Sequence, residues 1–463
     1  MRTGNGLRLG VVADDLTGAN ATGVGLAALG MEVWSVLAGG EAPALTGPAQ
    51  ALMGVTESRA LPAGEAAARV RAATRELLDA GATTFGKRID STLRGNVGAE
   101  LEAMLEVLDQ AGDRHLALVV PAYPASGRVV AGGYLLVHGV PVQETGAGRD
   151  PSAPVRRSHA ARVVAEQTQL PLGVVELDLV MAGAAAVHQA LTEAARRGQR
   201  VVVADATTDA HIATLAEAAA GLPQPVLSVD PGPFTTALNR VRLERAGLLH
   251  ERVLQSASQG ACSPSLGTHL AGAVGSVTEL SRRQVAAAAE AGVIEPIPLA
   301  LGAWGLEAVS RSDSFAKVST EVAARVVEAA LARLRQGHRP VLVTSSPGEP
   351  LLPASAAPTV ARAVGELMAA LVQAAADQGT PLGGLYLSGG DITAATCRAL
   401  ESPVLRLEAQ VEPLVALARL DRGPFAGLAL VTKGGLVGDD QALVRAIGTL
   451  ARRVAPLSPE VPA

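Results

Sequence analysis

Short apolar runs rich in β-branched residues alternate along the chain with longer segments in which apolar residues recur at helical spacing. This alternation is typical of crossover units that build a mainly parallel sheet. In the first half, the pattern predicts strands at 7–13, 32–37, 83–89, 116–122, 172–178 and 201–206. The clearest helices span 64–81 and 97–112, and both are followed or ended by glycine, as helices often are.

A second alternating series follows QSASQGACSPSLG (255–267), whose small residues and proline are typical of an interdomain connection. Beyond it, the pattern predicts strands at 270–276, 340–346, 384–390, 404–409 and 428–435, and helices near 317–336, 358–378 and 439–453. We therefore predict an α/β protein of two domains, 1–255 and 256–463. Each is expected to be a mainly parallel sheet flanked by helices, with an active-site cleft between the domains.

The segment 123–158 departs from this alternation, because it is rich in Gly and Pro and carries a predicted hairpin near 132–142. Loops of this length in compact domains are usually functional or disordered. We expect this segment to form one wall of the active site.

Composition excludes several classes of protein. The chain has 463 residues, of which 48% are hydrophobic and 18% charged, so it is long enough for more than one core and too apolar to be disordered. Its apolar runs are interrupted by charged residues before they reach membrane-spanning length. A net charge of -5, with only two Trp, three Tyr and four Phe, provides neither the basic patch nor the stacking surface of a nucleic-acid binder. We predict neither a membrane nor a nucleic acid as partner.

The cysteines and histidines suggest no metal site. Cys262 and Cys397 form no CxxC pair, and the eight histidines lack ligand spacing, so we predict no disulfide framework, no protein-held metal and no catalytic histidine. The first residues lack the apolar region and cleavage site of a signal peptide. The expected compartment is the cytoplasm.

Two adjacent acids end the first predicted strand in VVADDLTGAN (11–20). In open α/β sheets, ligands bind at the carboxyl ends of strands, and Asp14 and Asp15 fall at such an end. Thr17 or its neighbour is expected to cap a helix that starts near Gly18 and whose first amides attract anions. One carboxylate can then accept the proton of a substrate hydroxyl. An equally good interpretation is that one aspartate caps a turn and the other is solvated.

A second group of polar residues follows the predicted strand that ends in GKRIDSTLRGNVGAE (86–100). Its members supply donors and acceptors just before a predicted helix: Asp90, Ser91, Thr92, Arg94 and Asn96. A polyhydroxylated acid needs this mixture, with Lys87 or Arg94 for its carboxylate. An ordinary capped turn with exposed cations is the alternative. TESR (56–59) follows another apolar run and offers Arg59 as an anion clamp, although a surface arginine explains it as well.

Glycine-rich strand ends recur in the second half, in VGSVT (274–278), SGGDIT (388–393) and TKGGLVGDD (432–440). Glycine allows backbone amides to approach phosphates closely, and helix starts add a favourable dipole. Each stretch alone is nonspecific, and the phosphate loop GxxxxGK[ST] is absent from the sequence. Together the three favour a nucleotide site.

These stretches, taken together, resemble the four-carbon acid sugar kinase family. The likeness rests on ADDLTGAN (13–20), TESR, KRIDSTLRGNVGAE, PAYPASGRVVAGGYLLVHGVPVQET (121–145) with RDP (149–151), SGGDIT and KGGLVG, and it covers nearly the whole chain in order. The resemblance implies an N-terminal sugar-acid-binding domain and a C-terminal nucleotide-binding domain. It further implies that ATP phosphorylates the terminal hydroxyl of a threonate, an erythronate or an oxo-tetronate.

The resemblance also implies the site residues. The substrate positions are Asp15, Arg59, Lys87, Arg88, Ile89, Asp90 and Ser91, to which the local pattern adds Arg94. The ATP positions are Ser276, Gly389, Gly390, Asp391, Ile392, Thr393 and Gly435, to which the glycine turn adds Lys433 and Gly434.

As a hypothesis, the carboxylate of the acid sugar contacts Arg59 and Lys87, and its hydroxyls contact Asp90 and Ser91. Asp15, or else Asp14, orients and deprotonates the terminal hydroxyl, and Asp90 is predicted as a third catalytic residue. Mg²⁺ and helix-start amides stabilise charge on the phosphoryl group. The sequence leaves the choice of base open, and it is compatible with a homodimer without determining the oligomeric state.

A second function is also compatible with the sequence. A non-catalytic sensor would bind a sugar acid and a nucleotide without transferring phosphate. A dinucleotide-dependent dehydrogenase lacks support, because no GxGxxG follows the first strand with an acid about twenty residues later.

Overall fold

The structure is a computed structural model that describes residues 6–150, 153–250, 266–299, 301, 320–345 and 354–455. The chain divides into two units, Met1–Val253 and Leu254–Ala463. Most of the predicted connection, the predicted domain boundary at 255/256 and Cys262 lie outside the described residues, as do 317–319 of a predicted helix and 346 of a predicted strand.

The N-terminal unit alternates strands and helices. Its strands are β1 (Leu7–Ala13), β2 (Glu32–Leu37), β3 (Ala49–Val55), β4 (Thr84–Arg88), β5 (Leu116–Val119), β6 (Arg128–Ala131), β7 (Tyr134–Val137), β8 (Val140–Pro141), β9 (Leu172–Val175), β10 (Val201–Ala204) and β11 (Val226–Asp230). Its helices are α1 (Leu16–Ala28), α2 (Ala63–Asp79), α3 (Val97–Gln110), α4 (Ala160–Ala165), α5 (Leu177–Met181), α6 (Ala184–Arg196), α7 (Asp209–Ala220) and α8 (Pro233–Ala246).

The main strands of this unit form a sheet in the order β2-β3-β1-β4-β11-β5-β10-β9, in which every pair is parallel. The central strands are buried on both faces, which is why they are continuous Val and Leu runs rather than alternating ones. The predicted parallel α/β architecture is confirmed. Strand β11 was not predicted, and with it a carboxylate at the sheet edge was missed.

The position of β1 in the sheet determines where a ligand can bind. The chain builds β2 and β3 on one side of β1 and then crosses to place β4 on the other side. Such a reversal opens a crevice at the carboxyl ends of the two strands on either side of the switch, here β1 and β4. Both predicted polar stretches of the first half follow these two strands.

The segment 123–158 forms the predicted hairpin, extended to three antiparallel strands in the order β6-β7-β8. The hairpin is attached to the main sheet beyond β10, because Val130 and Ala206 exchange backbone hydrogen bonds of 2.8 and 3.1 Å. The Asp205 carboxylate also accepts a hydrogen bond from the Gly133 amide at 3.0 Å. The hairpin therefore stands at the carboxyl edge of the sheet.

The C-terminal unit has its own sheet and helices. Its strands are β12 (His269–Val274), β13 (Glu295–Pro298), β14 (Pro340–Val343), β15 (Leu382–Ser388), β16 (Val404–Glu412), β17 (Val415–Leu420) and β18 (Ala429–Lys433). Its helices are α9 (Glu279–Glu290), α10 (Thr320–Arg335), α11 (Ala357–Asp377), α12 (Gly390–Ala399) and α13 (Ala442–Val454).

The sheet order in this unit is β13-β14-β12-β15-β18-β17-β16. The first five strands are parallel, and β17 runs antiparallel to both of its neighbours. The predicted mainly parallel sheet is confirmed, whereas β13 and β17 were not predicted. A core that includes Leu270, Tyr386, Val431 and Leu450 joins α13 to the central strands.

Helix α11 is the one helix of the described residues long and apolar enough to span a membrane, judged by length and composition alone. In its most apolar window, 56% of the residues are buried inside the protein. That burial is ordinary for a core helix packed on a sheet. The cytoplasmic location and the absence of a membrane partner stay predictions.

Candidate functional site

The register of the N-terminal sheet brings several strand ends to one edge. Ala13 lies opposite both Val55 and Arg88, and Arg88 lies opposite Asp230. The residues that follow β1, β3 and β4 therefore emerge side by side. These are the stretches that the sequence analysis selected for acid, cation and hydroxyl chemistry.

Asp15 caps helix α1 and also contacts two arginines. Its extended backbone and its Oδ1 atom, which accepts a 3.1 Å hydrogen bond from the Gly18 amide, make it the N-cap. The sequence predicted Thr17 or its neighbour as the cap of a helix starting near Gly18; that prediction is wrong, because the cap is Asp15 and the helix begins at Leu16.

The two oxygens of Asp15 differ in their surroundings. Oδ1 accepts hydrogen bonds from Arg88 Nη1 at 2.6 Å and from Arg59 Nη2 at 2.8 Å, besides that from Gly18. No residue in the described part of the chain donates a hydrogen bond to Oδ2, and the side chain is 25% exposed. Asp15 therefore presents one carboxylate oxygen to a ligand while the other is fixed.

Asp14 has no such opening. Arg59 Nε donates to its Oδ2 at 2.7 Å, and Arg59 Nη2 and Arg88 Nη1 donate to its Oδ1 at 3.1 and 3.3 Å. Burial alone would raise the pKa of Asp14, but the charges of Arg59, Arg88 and Lys87 together lower it. This aspartate orients the two guanidinium groups and is the weaker candidate for a base.

Asp90 is bound by its own turn. Its Oδ2 accepts from the Thr92 amide at 3.1 Å, from the Thr92 hydroxyl and from Arg94 Nε at 3.0 Å, and its Oδ1 accepts from Arg94 Nη2 at 2.8 Å. Burial opposes ionisation, yet Arg59 and Arg94 hold the pKa of Asp90 well below its ordinary value. The catalytic role predicted for Asp90 stays a prediction, and its contacts favour positioning of Arg94, which also binds Asp150 Oδ2 at 3.0 Å.

Lys87 lies beneath the edge rather than on it. Its ammonium is 2.8 Å from Glu100 Oε2 and donates to the Arg88 carbonyl at 2.9 Å, and neither Lys87 nor Glu100 reaches solvent by more than 2%. Glu100 Oε1 also accepts from the Ser58 hydroxyl at 2.7 Å. A contact of Lys87 with the carboxylate of a substrate stays a prediction that requires the ammonium to leave Glu100.

The other predicted substrate residues take different positions. Ile89 is buried and donates its amide to the Asp230 carbonyl at 3.1 Å, so its side chain serves the core. Ser91 is half-buried at the turn. Of these two residues, Ser91 is therefore the better placed to contact a ligand, through its hydroxyl.

Sequence reasoning missed Glu100 and Asp230. Glu100 occupies a buried position of α3, where helical spacing calls for an apolar residue, and an acid at such a position is a signal of a buried cationic partner. Asp230 ends β11; its Oδ2 accepts from the amides of Gly232 and Phe234 at 2.7 Å each, and burial raises its pKa. Through these hydrogen bonds, Asp230 fixes the backbone at the start of α8.

In the C-terminal unit, three strand ends meet in the same way. Val274 lies opposite Ser388, and Ser388 lies opposite Lys433. The glycine turns that follow β12, β15 and β18 therefore emerge together at the carboxyl edge, as a phosphate site requires.

The turn after β15 leads into a helix that begins without a side-chain cap. Gly389 has a φ of 115°, which side chains other than glycine's rarely tolerate, and it precedes α12 without a side-chain cap. Ile392 and Thr393 are buried, and the Thr393 hydroxyl donates to the Gly389 carbonyl at 2.9 Å, whereas Asp391 is exposed. An anion here would meet backbone amides of the first turn.

Helix α9 organises the turn after β18 through its polar side chains. Thr278 and Ser281 donate to the Gly435 carbonyl at 3.0 and 2.9 Å, and Gln284 donates to the Val437 carbonyl at 3.0 Å. In a trans peptide, the N–H group points in the direction opposite to the C=O group. The amides of the residues that follow these two carbonyls therefore point away from α9. A β-carbon on Gly435 would lie 2.2 Å from Ser276 Oγ, so a larger residue there would force the Ser276 side chain to move.

Lys433 also points into this turn. Its buried ammonium donates to the carbonyls of Gly434 at 2.8 Å and Val437 at 3.2 Å. Burial lowers its pKa to about 8, against the opposing charge of Glu412. The contact of Lys433 and Gly434 with ATP stays a prediction, and the hydrogen bonds assign to Lys433 at least the shaping of the loop.

The buried ammonium of Lys433 should make stability depend on pH. Between about pH 8 and 10.5, the folded protein has lost the proton that the unfolded chain still binds at this residue, so stability rises with pH in this window. Relative to Lys433→Met, we expect the free energy of unfolding of the wild type to gain up to roughly 3 kcal/mol between these limits. Denaturant titrations of both proteins at pH 7, 8.5 and 10 measure this gain; a difference independent of pH would contradict it.

Comparisons with known proteins agree with this division of chemistry. Residues 9–238 match the family described as "Sugar-binding N-terminal domain", and residues 271–443 match "Nucleotide-binding C-terminal domain". These matches fall on the units whose edges carry the acid–arginine cluster and the glycine turns.

Curated relatives cover nearly the whole chain. It is 35% identical over 450 residues to the D-erythronate kinase of Heliobacterium modesticaldum, covering 96% of this chain and 97% of that protein. It is 32% identical to the D-threonate kinase of Salmonella typhimurium, covering 95% and 98%, and 31% identical to the 3-oxo-tetronate kinase of Pseudomonas fluorescens, covering 96% and 97%. The chain therefore belongs to the four-carbon acid sugar kinase family.

Proposed function

We propose that the protein transfers the γ-phosphoryl group of ATP to the terminal 4-hydroxyl of a four-carbon acid sugar such as threonate, erythronate or 3-oxo-tetronate. The observation that carries this proposal is the open Oδ2 of Asp15, presented at a sheet edge that also gathers Arg59, Arg88 and Arg94. Carboxylate and guanidinium groups at one edge suit a ligand that carries both hydroxyls and a negative charge.

In this proposal, Asp15 Oδ2 accepts the hydrogen bond of the 4-hydroxyl and takes its proton as the new O–P bond forms. The bond between the γ-phosphorus and the β–γ bridging oxygen breaks in the same transfer, and ADP leaves with that oxygen. The two arginines on Oδ1 stabilise the negative form of Asp15, which makes it a weak base. Orientation of the hydroxyl is therefore the larger part of its contribution, as for the catalytic aspartate of other kinases. Asp14 keeps both arginines in place.

The nucleotide is proposed to bind at the carboxyl edge of the C-terminal sheet. The uncapped amides at the start of α12 and the outward amides of the turn after β18 provide donors for phosphate oxygens. The Ser276 hydroxyl, 3.0 Å from Thr278 Oγ1, lies beside Gly435 and can add a further donor.

Magnesium is proposed to bind with the nucleotide. Mg²⁺ usually keeps several waters and binds substrate phosphates with one or two carboxylates. Among the described residues, no group of three or more His, Cys, Asp or Glu could hold a metal ion, and Asp14 and Asp90 are occupied by arginines. The available side chains therefore fit a Mg²⁺ ion that is held mainly by phosphate oxygens of the nucleotide. The ion would neutralise part of the negative charge of those phosphates.

A coupled assay of ADP release tests the proposal. We expect ATP-dependent turnover with at least one of the D- and L-isomers of threonate, erythronate and 3-oxo-tetronate, and a shift of the product phosphorus signal to that of a primary phosphate ester. The neutral four-carbon polyols serve as controls for the acid group. Binding of both ligands without ADP release from any acid would instead identify a sensor and overturn the kinase proposal.

A further inference from the structure

The cations at the carboxyl edge of the N-terminal sheet are largely neutralised by the protein itself. Arg59 and Arg88 bind Asp14 and Asp15, and Arg94 binds Asp90 and Asp150. Lys87, below the edge, is paired with Glu100. Each of these cations thus already shares its charge with at least one carboxylate of the protein, although Arg88 Nε is buried without a hydrogen-bond partner among the described residues.

Arg128, at the start of β6, is different. Among the described residues, no carboxylate forms an ion pair with it; its Nη1 donates to the Ser126 carbonyl. Its Nε is buried and has no hydrogen-bond partner there. A buried N–H without an acceptor is costly, and an acceptor supplied by a ligand would remove that cost.

The fold holds Arg128 at the sheet edge. Its amide donates to the Tyr123 carbonyl at 3.1 Å, and its carbonyl accepts from the Tyr123 amide at 2.8 Å, just beyond the end of β5. Two residues later, Val130 is bonded to Ala206 beyond β10. The backbone that carries the guanidinium is thus fixed at two points of the edge.

The electrostatic surroundings agree with this position. Burial lowers the pKa of Arg128; the charge of Asp90 opposes that change and the charge of Arg94 adds to it. Asp90 and Arg94 are thus the charged side chains that act on the Arg128 guanidinium. Asp90 is already bound by Arg94 and Thr92, so its charge is shared, and no other carboxylate of the described residues pairs with Arg128.

We propose that Arg128 binds the carboxylate of the acid sugar and thereby selects acids over neutral polyols. This inference rests on the proposed function. Guanidinium binds a carboxylate through two parallel N–H···O bonds, and here Nε is available as one of the donors. The role that the sequence analysis gave to Arg59 and Lys87 thus passes mainly to a residue of the hairpin.

The test compares each acid with its own primary amide, which keeps the shape and removes the charge. For Arg128→Gln, we expect the KM for the acid to rise on the order of 10²-fold, with kcat and the KM for ATP within about threefold of wild type. kcat/KM for the amide should stay within about threefold, so the preference for acid over amide collapses. Arg128→Lys should restore part of it.

Arg114→Gln is the matched control, because it removes the same charge from an exposed arginine before β5, at the opposite edge of the sheet. It should leave the preference for acid over amide unchanged. If Arg128→Gln keeps that preference, or loses acid and amide turnover equally, Arg128 is not the carboxylate ligand.

The proposed function and this inference fail in different ways. If the wild type phosphorylates no acid sugar, the kinase proposal fails. The role of Arg128 is then tested by calorimetric measurement of acid binding in place of turnover. A loss of acid binding on the order of 10²-fold in Arg128→Gln, with amide binding unchanged, would still support the inference. Equal binding of the acid by the wild type and Arg128→Gln would overturn it.

Discussion

Replacing Asp15 by Asn is expected to lower kcat by about 10²- to 10⁴-fold, the range that a positioned acid–base group contributes. The amide can still cap Gly18, so helix α1 should keep its start. What is lost is the negative charge facing Arg59 and Arg88 and the acceptor oxygen at Oδ2. Steady-state kinetics of ADP release, with the acid and ATP varied in turn, measure the effect.

The same experiment decides between the two adjacent aspartates. Asp14→Asn removes a buried carboxylate whose oxygens are both occupied by arginines, so it should lower thermal stability more than Asp15→Asn does. A raised KM for ATP with kcat retained in Asp15→Asn would remove Asp15 from the role of base. Loss of turnover in a folded Asp14→Asn protein, with Asp15→Asn active, would reverse the assignment.

Replacing Lys87 by Met is expected to lower the free energy of unfolding of the N-terminal unit by about 3–5 kcal/mol, as when one partner of a buried ion pair is removed. Glu100 would be left with the Ser58 hydroxyl and no cation, in a place that solvent does not reach. Urea unfolding followed by hydrogen exchange in β4 measures the loss.

Two further variants test the physical cause of that loss. Lys87→Met combined with Glu100→Gln removes the unpaired charge and keeps an acceptor for Ser58, so it should recover most of the stability. Arg71→Met breaks the ion pair to Glu106 between α2 and α3, whose side chains are 35% and 46% exposed, and should cost no more than about 1 kcal/mol. Equal losses in Lys87→Met and Arg71→Met would mean that burial does not govern the Lys87–Glu100 pair.

Much of the fold follows from local pattern. Parallel strands buried on both faces need continuous Val, Ile and Leu runs, and crossover helices need an apolar stripe, so β1, β5, β10 and α3 were all predicted close to their observed bounds. Strands β11, β13 and β17 were not predicted. Runs of four to six residues beside proline or between polar residues are too short for their periodicity to be distinguished from a loop.

The candidate site was likewise predicted only in part. The strand-end acids, the arginines and the glycine turns were found from the sequence, because carboxyl ends of parallel strands meet at one edge whatever the strand order. The ion pairs between these acids and arginines were not predicted. Arg59 bonds to Asp14 and Asp15 across 45 and 44 positions of sequence, and Arg128 Nε has no hydrogen-bond partner among the described residues.

The sequence alone thus determined the class of fold, the sheet edges that carry the chemistry and, through its motifs, the family. Only the tertiary structure decided that Lys87 pairs with Glu100. It also decided that, within the described part of the chain, one oxygen of Asp15 accepts no hydrogen bond and Arg128 forms no ion pair with a carboxylate. The physical reason is that local periodicity encodes which face of an element is buried. Partner choice among charged side chains depends instead on strand order and on distances between elements far apart in the chain.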